Sequence, residues 1–197
     1  MEGKPGLTLL PKVELELEVR EGGPEGHVRE RKRFAGNLAT TNLVDLMRKL
    51  WTTQESGGSR GATLTDVDGN DRTVRAYDTG EDGFFTAVGA NHRAVIGDGG
   101  GATVMPDPSN HQLDNELDRV ELGQPSSAGS DAFDVSATFG NDTGAAWTVR
   151  EVGILHEWGG EEYGSNGNLY LSWHDAVGDT TVPDGDAVTV RWRFTWP

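Results

Sequence analysis

The chain has 197 residues, of which 35% are apolar and none is cysteine, and its 32 acidic and 17 basic residues give a formal net charge of −15. This length fits one large domain or two small ones, and the absence of cysteine excludes disulfide bridges, thiolate catalysis and cysteine-ligated zinc. No run of about 18 apolar residues predicts a transmembrane helix, and the N-terminal MEGKPGLTLL lacks the pattern of a signal peptide.

The excess of acidic residues, together with only four lysines, is typical of proteins that work in concentrated salt. Salt at about 1 M shortens the Debye length to about 3 Å, which screens the self-repulsion of such a chain. The alternatives are an acidic protein of ordinary salt and a disordered chain, but six Trp and six Phe favour a packed core over disorder. No continuous basic stripe is visible, so the sequence argues against nucleic acid as a partner.

The first elements in chain order are two predicted strands. KVELELEV (12–19) alternates apolar and glutamate residues, which predicts a strand with one buried face and one acidic, solvent-exposed face. EGGPEG (21–26) is a turn signal, and HVRERKRF (27–34) is expected to return as the partner strand with its basic side chains beside the glutamates.

TNLVDLMRKLW is the strongest helical pattern, and it predicts one main helix at about 42–53. Asn42 is the expected N-cap, and Asp45 is placed to interact with the helix dipole. The helix should pack on a sheet through its apolar residues, which recur at helical spacing: Leu43, Leu46, Met47, Leu50 and Trp51.

A hairpin or loop insertion is expected at about 54–86, with a hairpin over 62–78 that turns at Asp68 and Gly69. The same turn offers oxygen ligands suited to Ca²⁺. An EF-hand loop, however, needs glycine at its sixth position and glutamate at its twelfth, whereas here Gly69 is fourth and Tyr77 is twelfth. A hairpin turn is the better interpretation, and no metal site is predicted from the oxygen-bearing residues Asp66, Asp68, Asn70 and Asp71.

IGDGGGAT (96–103) follows a predicted strand and is interpreted as a flexible loop, since it has neither the Walker lysine nor the GxGxxG spacing of a nucleotide site. PSNHQLDNELDR (108–119) favours a short helix with Ser109 as its cap, because Leu113 and Leu117 are four residues apart. DAFDVSATFG (131–140) alternates like a strand, and GNDTG (140–144) predicts a hairpin loop.

The apolar phase flips within WTVREVGILHEW (147–158): Trp147 and Val149 occupy odd positions, whereas Val152 and Ile154 occupy even ones. This flip predicts a β-bulge at the Glu151-Val152-Gly153 step, with Gly153 adopting the unusual backbone angle.

The final strand VTVRWRFTW (188–196) places two tryptophans on one apolar face, which predicts core packing or, alternatively, an interface with another subunit. Turn signals every 8 to 15 residues indicate an all-β fold. We therefore predict a single β-sandwich domain over 1–197 that is antiparallel and jelly-roll-like, with one main α-helix and a projecting hairpin.

No residue set predicts catalysis or cofactor binding. GxSxG is absent, and the five histidines show no metal-binding spacing, although His156 and His174 could meet across neighbouring strands. A solvated or hydrogen-bonded role is the expected one for both histidines. A carbohydrate-binding module of a halophilic cell is the alternative, because four aromatic residues could form a sugar-stacking surface: Trp158, Tyr163, Tyr170 and Trp173.

Four short motifs in order resemble small structural proteins of tailed viruses, of the tail-fibre and virion-decoration kind. The motifs are the glycine-rich loop Gly97–Gly101, the segment Leu113–Leu117, the strand Val149–Ile154 and the terminal strand Val190–Phe194. This resemblance covers about three quarters of the chain.

The resemblance implies an all-β, homo-oligomeric virion protein without catalysis, cofactor or metal, and the acidic composition adds a halophilic archaeal host. It implies a tail fibre or baseplate component, or a capsid turret or decoration. The expected partners are further copies of the chain, other capsid or tail proteins, and a host cell-surface glycan or glycoprotein, with no nucleic acid and no membrane insertion. The expected location is the capsid surface or tail of the virion.

Overall fold

A computed structural model of the protein describes residues 11–36, 39–44, 61–75, 92–102, 104–158 and 168–196. Residues 41–44 form a helical turn at the start of the predicted helix, whose remaining residues lie outside the described ranges. The strands are β1 (Lys12–Glu21), β2 (His27–Gly36), β3 (Gly61–Thr65), β4 (Asp71–Arg75), β5 (His92–Gly97), β6 (Glu116–Glu121), β7 (Ser126–Ser127), β8 (Ala132–Gly140), β9 (Trp147–Trp158), β10 (Asn168–Val182) and β11 (Ala187–Thr195).

These strands form two main antiparallel sheets and a separate hairpin. The first sheet has the order β2-β1-β11-β8-β7, the second has the order β10-β9-β5-β6, and β3 pairs only with β4. A single apolar cluster contains buried residues of both main sheets, such as Leu15 and Trp192 of the first and Ile96 and Ile154 of the second. The predicted antiparallel β-sandwich is therefore confirmed.

The core faces of β1 and β11 follow directly from their alternating sequences. Lys12 pairs with Thr195 and Arg20 with Ala187 at the two ends of a regular ladder, so every apolar residue of β1 faces one of β11. The C-terminal tryptophan row packs in the core, because Trp192 is fully buried and Trp196 packs partly buried against the same cluster. The row is therefore not available as a subunit interface.

The helix predicted over 108–119 is wrong. Residues 104–115 have no helical turn, and Glu116–Glu121 is strand β6. The Asp107 carboxylate accepts hydrogen bonds from the backbone N–H and the hydroxyl of Ser109, which closes a local turn instead of capping a helix. Leu113 and Leu117 pack in different clusters, Leu113 with Val95 and Leu117 against the core between the sheets.

The bulge predicted at Glu151–Gly153 is also misplaced. Pairing between β9 and β5 is uninterrupted from Glu151 to His156. One irregular step lies one residue earlier, where Arg150 alone stands opposite residues 177–179 of β10, and a second lies at Ser172, between the residues paired with Leu155 and Ile154. The phase flip itself is real, since Val149 and Val152 both belong to the core between the sheets.

Gly153 is needed for space rather than for an unusual backbone angle, because its φ is not positive. A Cβ atom there would lie 2.8 Å from Leu171 Cδ1 and 3.1 Å from Val95 Cγ1. Strands β5, β9 and β10 pack so closely on the outer face of the second sheet that only glycine fits.

Candidate functional site

A buried polar cluster lies where β9 and β10 meet two loops on the outer face of the second sheet. Glu151 and His174 have no exposed surface, and Glu151 Oε2 lies 2.9 Å from His174 Nε2. His174 Nδ1 lies 3.2 Å from the side-chain amide nitrogen of Asn110. Because an amide NH₂ only donates, Nδ1 accepts this bond, and Nε2 carries the proton that it donates to Glu151.

The second oxygen of Glu151 organises the backbone of both loops. Oε1 accepts hydrogen bonds from the backbone N–H groups of Gly99 (3.2 Å), Asp114 (3.0 Å) and Asn115 (3.4 Å). A carboxylate can accept several such bonds at once, whereas an apolar residue would leave the N–H groups buried and unpaired. Glu151 therefore anchors the glycine-rich loop and the 110–115 segment to the sheet.

The glycine-rich loop interpreted as flexible has a defined conformation. Gly99, Gly100 and Gly101 all have positive φ angles between 62° and 80°, and they form a 3-10 turn capped by the Asp98 side chain. Glycine is required here because other residues are strained in that region. The backbone of this loop therefore lies against Glu151, and its Gly99 N–H binds the Glu151 carboxylate.

His156 and His174, which could have met, have separate partners. His156 Nδ1 lies 2.6 Å from Ser172 Oγ, and the His156 ring packs edge-on against His92 with centroids 4.5 Å apart. Burial, with a smaller contribution from His92, holds the pKa of His156 well below its usual value of 6.5. Both predicted histidines are buried and hydrogen-bonded rather than solvated.

The His156–Ser172 pair has the residue types of a nucleophile and its base. Both residues are buried, and the gap that His156 and His92 line is otherwise apolar and has a volume of about 10 Å³. A gap of this size is at the lower limit for one water molecule, and a substrate needs far more room. The structure therefore leaves no room for a substrate beside this pair, and the two side chains form a buried hydrogen bond of the fold.

The predicted hairpin is present, but its turn is longer than expected. Residues 66–70 connect β3 and β4, Gly69 has φ +78°, and Asp66 Oδ1 accepts bonds from the backbone N–H groups of Asp68 and Asn70. The Asp66 carboxylate is 1% exposed and acts as an internal cap of the turn. Among the described residues no group of three or more His, Asp or Glu side chains is placed to hold a metal ion.

Asn42 does not cap the helix. Val44 N–H binds the carbonyl of Thr40, so the helical turn begins one residue earlier, and Asn42 reaches across to the hairpin. Its amide accepts from the Thr65 N–H (2.9 Å) and donates to the Thr65 carbonyl (2.8 Å). The amide pairs like a backbone peptide unit because it offers one donor and one acceptor side by side.

Two of the four aromatic residues proposed for sugar stacking are buried. Tyr170 is 1% exposed and Trp173 is 2% exposed, and Trp173 packs edge-on against Phe194 in the core. Tyr163 and the side chain of Trp158 lie outside the described residues. Tyr170 and Trp173 are therefore not available for sugar stacking, and the carbohydrate-binding alternative stays a prediction.

The outer face of the first sheet differs most from the sequence-based expectation. Glu16 and Glu18 were expected to form an acidic, exposed surface, but their side chains are only 13% and 4% exposed. Arginines of the flanking strands cover them: Arg33 is 76% exposed and Arg191 is 42% exposed. The solvent-facing layer therefore has more cations than carboxylates, with Glu14 as its exposed acid.

Each covered carboxylate orients arginines of neighbouring strands. Glu16 pairs with Arg33 of β2 at 2.7 Å and with Arg191 of β11 at 3.0 Å. Burial would raise the pKa of Glu18, but hydrogen bonds from Arg20 and Arg31 outweigh it and lower that pKa. The hydrogen bond from Arg193 likewise lowers the pKa of Asp134.

We call this surface the arginine face. It contains a groove of about 590 Å³ in its half nearer Lys12. The sequence pattern does not reveal this surface, because its cations come together only when β2, β1 and β11 pair. Its charged residues among the described strands are Lys12, Arg20, Arg31, Arg33, Arg191 and Arg193, with Glu14, Glu16, Glu18 and Asp134 between them.

No family model, curated protein or solved structure matches this chain. Among the described residues, no helix is long and apolar enough to span a membrane.

Proposed function

We propose that the chain is a non-enzymatic structural protein of the virion of a tailed virus that infects halophilic archaea. It forms a homo-oligomeric tail-fibre or baseplate component, or a capsid turret or decoration, and its exposed surface contacts neighbouring virion proteins and the host cell surface. The resemblance of four ordered motifs to such proteins and the net charge of −15 are the sequence arguments for this proposal.

The roles of two of those motifs support the proposal. Gly97–Gly101 and Val149–Ile154 meet at Glu151, where one carboxylate joins the glycine-rich loop to the central strand. These two motifs therefore have an architectural role, because the Glu151 side chain is fully used in hydrogen bonds within the fold.

The observation that carries the proposal is the arginine face. A broad, salt-bridged sheet surface with exposed guanidinium groups suits docking to a protein surface, since arginine is enriched at interfaces and forms bidentate pairs with carboxylates. The buried His156–Ser172 and Glu151–His174 pairs, in contrast, are closed within the fold.

Two measurements test this function together. Mass spectrometry of purified particles should detect the chain in stoichiometric amounts with capsid and tail proteins, and gel filtration with light scattering should give a mass above that of the 21.2 kDa monomer. A strictly monomeric protein that is absent from particles would end the proposal.

A further inference from the structure

Charge on this molecule is segregated. The whole chain has 32 acidic and 17 basic residues. Four of the acidic and six of the basic residues belong to the arginine face. The remaining 28 acidic and 11 basic residues belong to the rest of the chain. The face is thus opposite in sign to the rest of the protein, and its natural partner carries carboxylates.

An acidic surface lies at the far end of the same sheet. The β1–β2 turn contacts the β10–β11 turn through Gly22 N–H and Asp186 Oδ1 (3.0 Å), and Asn141 N–H binds the Asp186 carbonyl (2.9 Å). Three connections therefore form one end of the molecule, which we call the acidic end, although it also contains Arg29, whose guanidinium pairs with the Asp186 carboxylate. Its exposed carboxylates, which form no ion pair within the described part of the chain, are Glu21, Glu25, Asp142 and Asp184.

The arginine groove and the acidic end lie at opposite ends of β1. Lys12 and Arg33 border the groove, whereas Glu21 begins the turn at the other end of the strand. A ten-residue strand rises about 3.3 Å per residue, so the two surfaces are about 30 Å apart. The cations that border the groove therefore cannot reach the acidic end of their own copy, although Arg20, at the other end of β1, lies beside it.

Two arginine faces cannot pair with each other, because like charges would lie opposite one another across the contact. A contact between two different surfaces of identical chains is heterologous, and it generates a closed ring of three or more copies or an open array. A nucleic acid is disfavoured as the occupant, since the excess of carboxylates elsewhere on the chain repels its continuous row of phosphates.

We infer that the arginine face of one copy binds the acidic end of a second copy, so that the protein assembles head to tail. This inference rests on the proposed homo-oligomeric role and names the interface that builds the oligomer. Exposed guanidinium groups donate their remaining N–H groups to the carboxylates of the neighbouring copy, and the covered Glu16 and Glu18 hold the arginines in position.

The test uses complementary charge reversals in the full chain. A head variant, Lys12→Glu with Arg33→Glu, reverses two exposed cations of the arginine face, and a tail variant, Glu25→Lys with Asp142→Lys, reverses two carboxylates of the acidic end. Sedimentation velocity is run over a concentration series, at a salt concentration where circular dichroism shows every variant folded.

Each variant has a control with the same net charge. Arg93→Glu with Arg119→Glu changes two cations of the second sheet, and Asp68→Lys with Asp114→Lys changes two exposed carboxylates away from the acidic end. Loss of assembly in a control would mean that net charge, rather than the named interface, governs association.

We expect the wild type and both controls to form assemblies, and each variant alone to associate at least about tenfold more weakly, which corresponds to about 1.4 kcal/mol. An equimolar mixture of head and tail variants should regain association, at least to a dimer, because the unchanged arginine face of the tail variant can bind the unchanged acidic end of the head variant. Variants that assemble like the wild type, or a mixture that stays monomeric, would overturn the interface while leaving the proposed function intact.

A wild type that is monomeric at all concentrations would remove both the interface and the homo-oligomeric function. A monomeric wild type that binds a fluorescent DNA duplex, with binding lost in the head variant, would overturn the inference in favour of nucleic acid.

Discussion

At the scale of single residues, Glu151 is a structural anchor. It is fully buried, accepts three backbone N–H groups and pairs with His174. Glu151→Ala should lower the free energy of unfolding by about 3–5 kcal/mol, because it leaves the buried imidazole and three N–H groups without an acceptor. Urea denaturation monitored by tryptophan fluorescence measures the change.

The matched control for that substitution is Glu25→Ala, which removes an exposed glutamate and should change the stability by no more than about 0.5 kcal/mol. Equal effects of the two substitutions would contradict the anchoring role of Glu151.

Gly153 illustrates a residue whose requirement is steric. Gly153→Ala should cost about 1–3 kcal/mol, because the added methyl group would lie 2.8 Å from Leu171 Cδ1. Gly140→Ala is the control, since a Cβ at Gly140 meets no atom within 4 Å. Thermal unfolding of the two variants measures the difference in stability. A Gly153→Ala protein as stable as Gly140→Ala would contradict the steric requirement for glycine at position 153.

His156 should make stability depend on pH. Because its pKa in the folded protein is below the usual 6.5, the unfolded chain binds a proton near pH 6 that the folded chain does not. The free energy of unfolding should therefore fall as the pH drops below about 6.5, by up to about 1.4 kcal/mol per pH unit.

Urea titrations at a series of pH values measure this slope. His156→Gln should reduce it, whereas His27→Gln, at an exposed histidine, should leave it unchanged. An unchanged slope in His156→Gln would show that another group is responsible.

At the scale of elements, the β3–β4 hairpin is held against the sandwich by a few polar contacts and by Val67, which packs on the apolar cluster of the second sheet's outer face. Asn42 pairs with both backbone groups of Thr65, and Val67 N–H binds the Leu169 carbonyl of β10 (2.9 Å). The turn end of this hairpin is therefore docked on the second sheet, although a projecting hairpin was expected there. Because few contacts hold the hairpin, we expect it to open locally before the two main sheets unfold.

Asn42→Ala should increase hydrogen exchange of the backbone amides in Gly61–Arg75 by about five- to tenfold, because two hydrogen bonds of about 1 kcal/mol each are lost and partly replaced by water. Asn115→Ala, which removes a bond to Asp98 away from the hairpin, is the control. Unchanged exchange in Asn42→Ala would indicate that the turn contacts alone hold the hairpin.

At the scale of the whole molecule, the net charge governs stability through salt. Raising the salt from about 0.15 M to about 1 M shortens the Debye length from about 8 Å to about 3 Å and screens the mutual repulsion of the excess carboxylates. We expect the unfolding temperature in differential scanning calorimetry to rise by at least about 4 °C. A non-ionic osmolyte at equal osmolality should not reproduce the full increase, and a flat or falling dependence on salt would contradict adaptation to salt.

The sequence by itself determined the strands with an uninterrupted two-residue period. β1 and β11 were predictable because each apolar residue must face the core if any of them does, so the alternation alone fixes the buried face. The hairpin at Asp66–Asn70 and the sandwich architecture followed from turn residues and strand spacing in the same way.

Only the tertiary structure decided how distant polar residues combine. The Glu151 anchor joins β9 to residues 99 and 114–115, and the arginine face joins β2, β1 and β11, so neither has a local sequence signal. The same reason explains the errors at Asn42, at 108–119 and at Gly153, where a contact with a residue far along the chain outweighed the local preference. Local periodicity reports which side of an element is buried, whereas the identity of the partner depends on strand pairing that brings remote residues to within hydrogen-bonding distance.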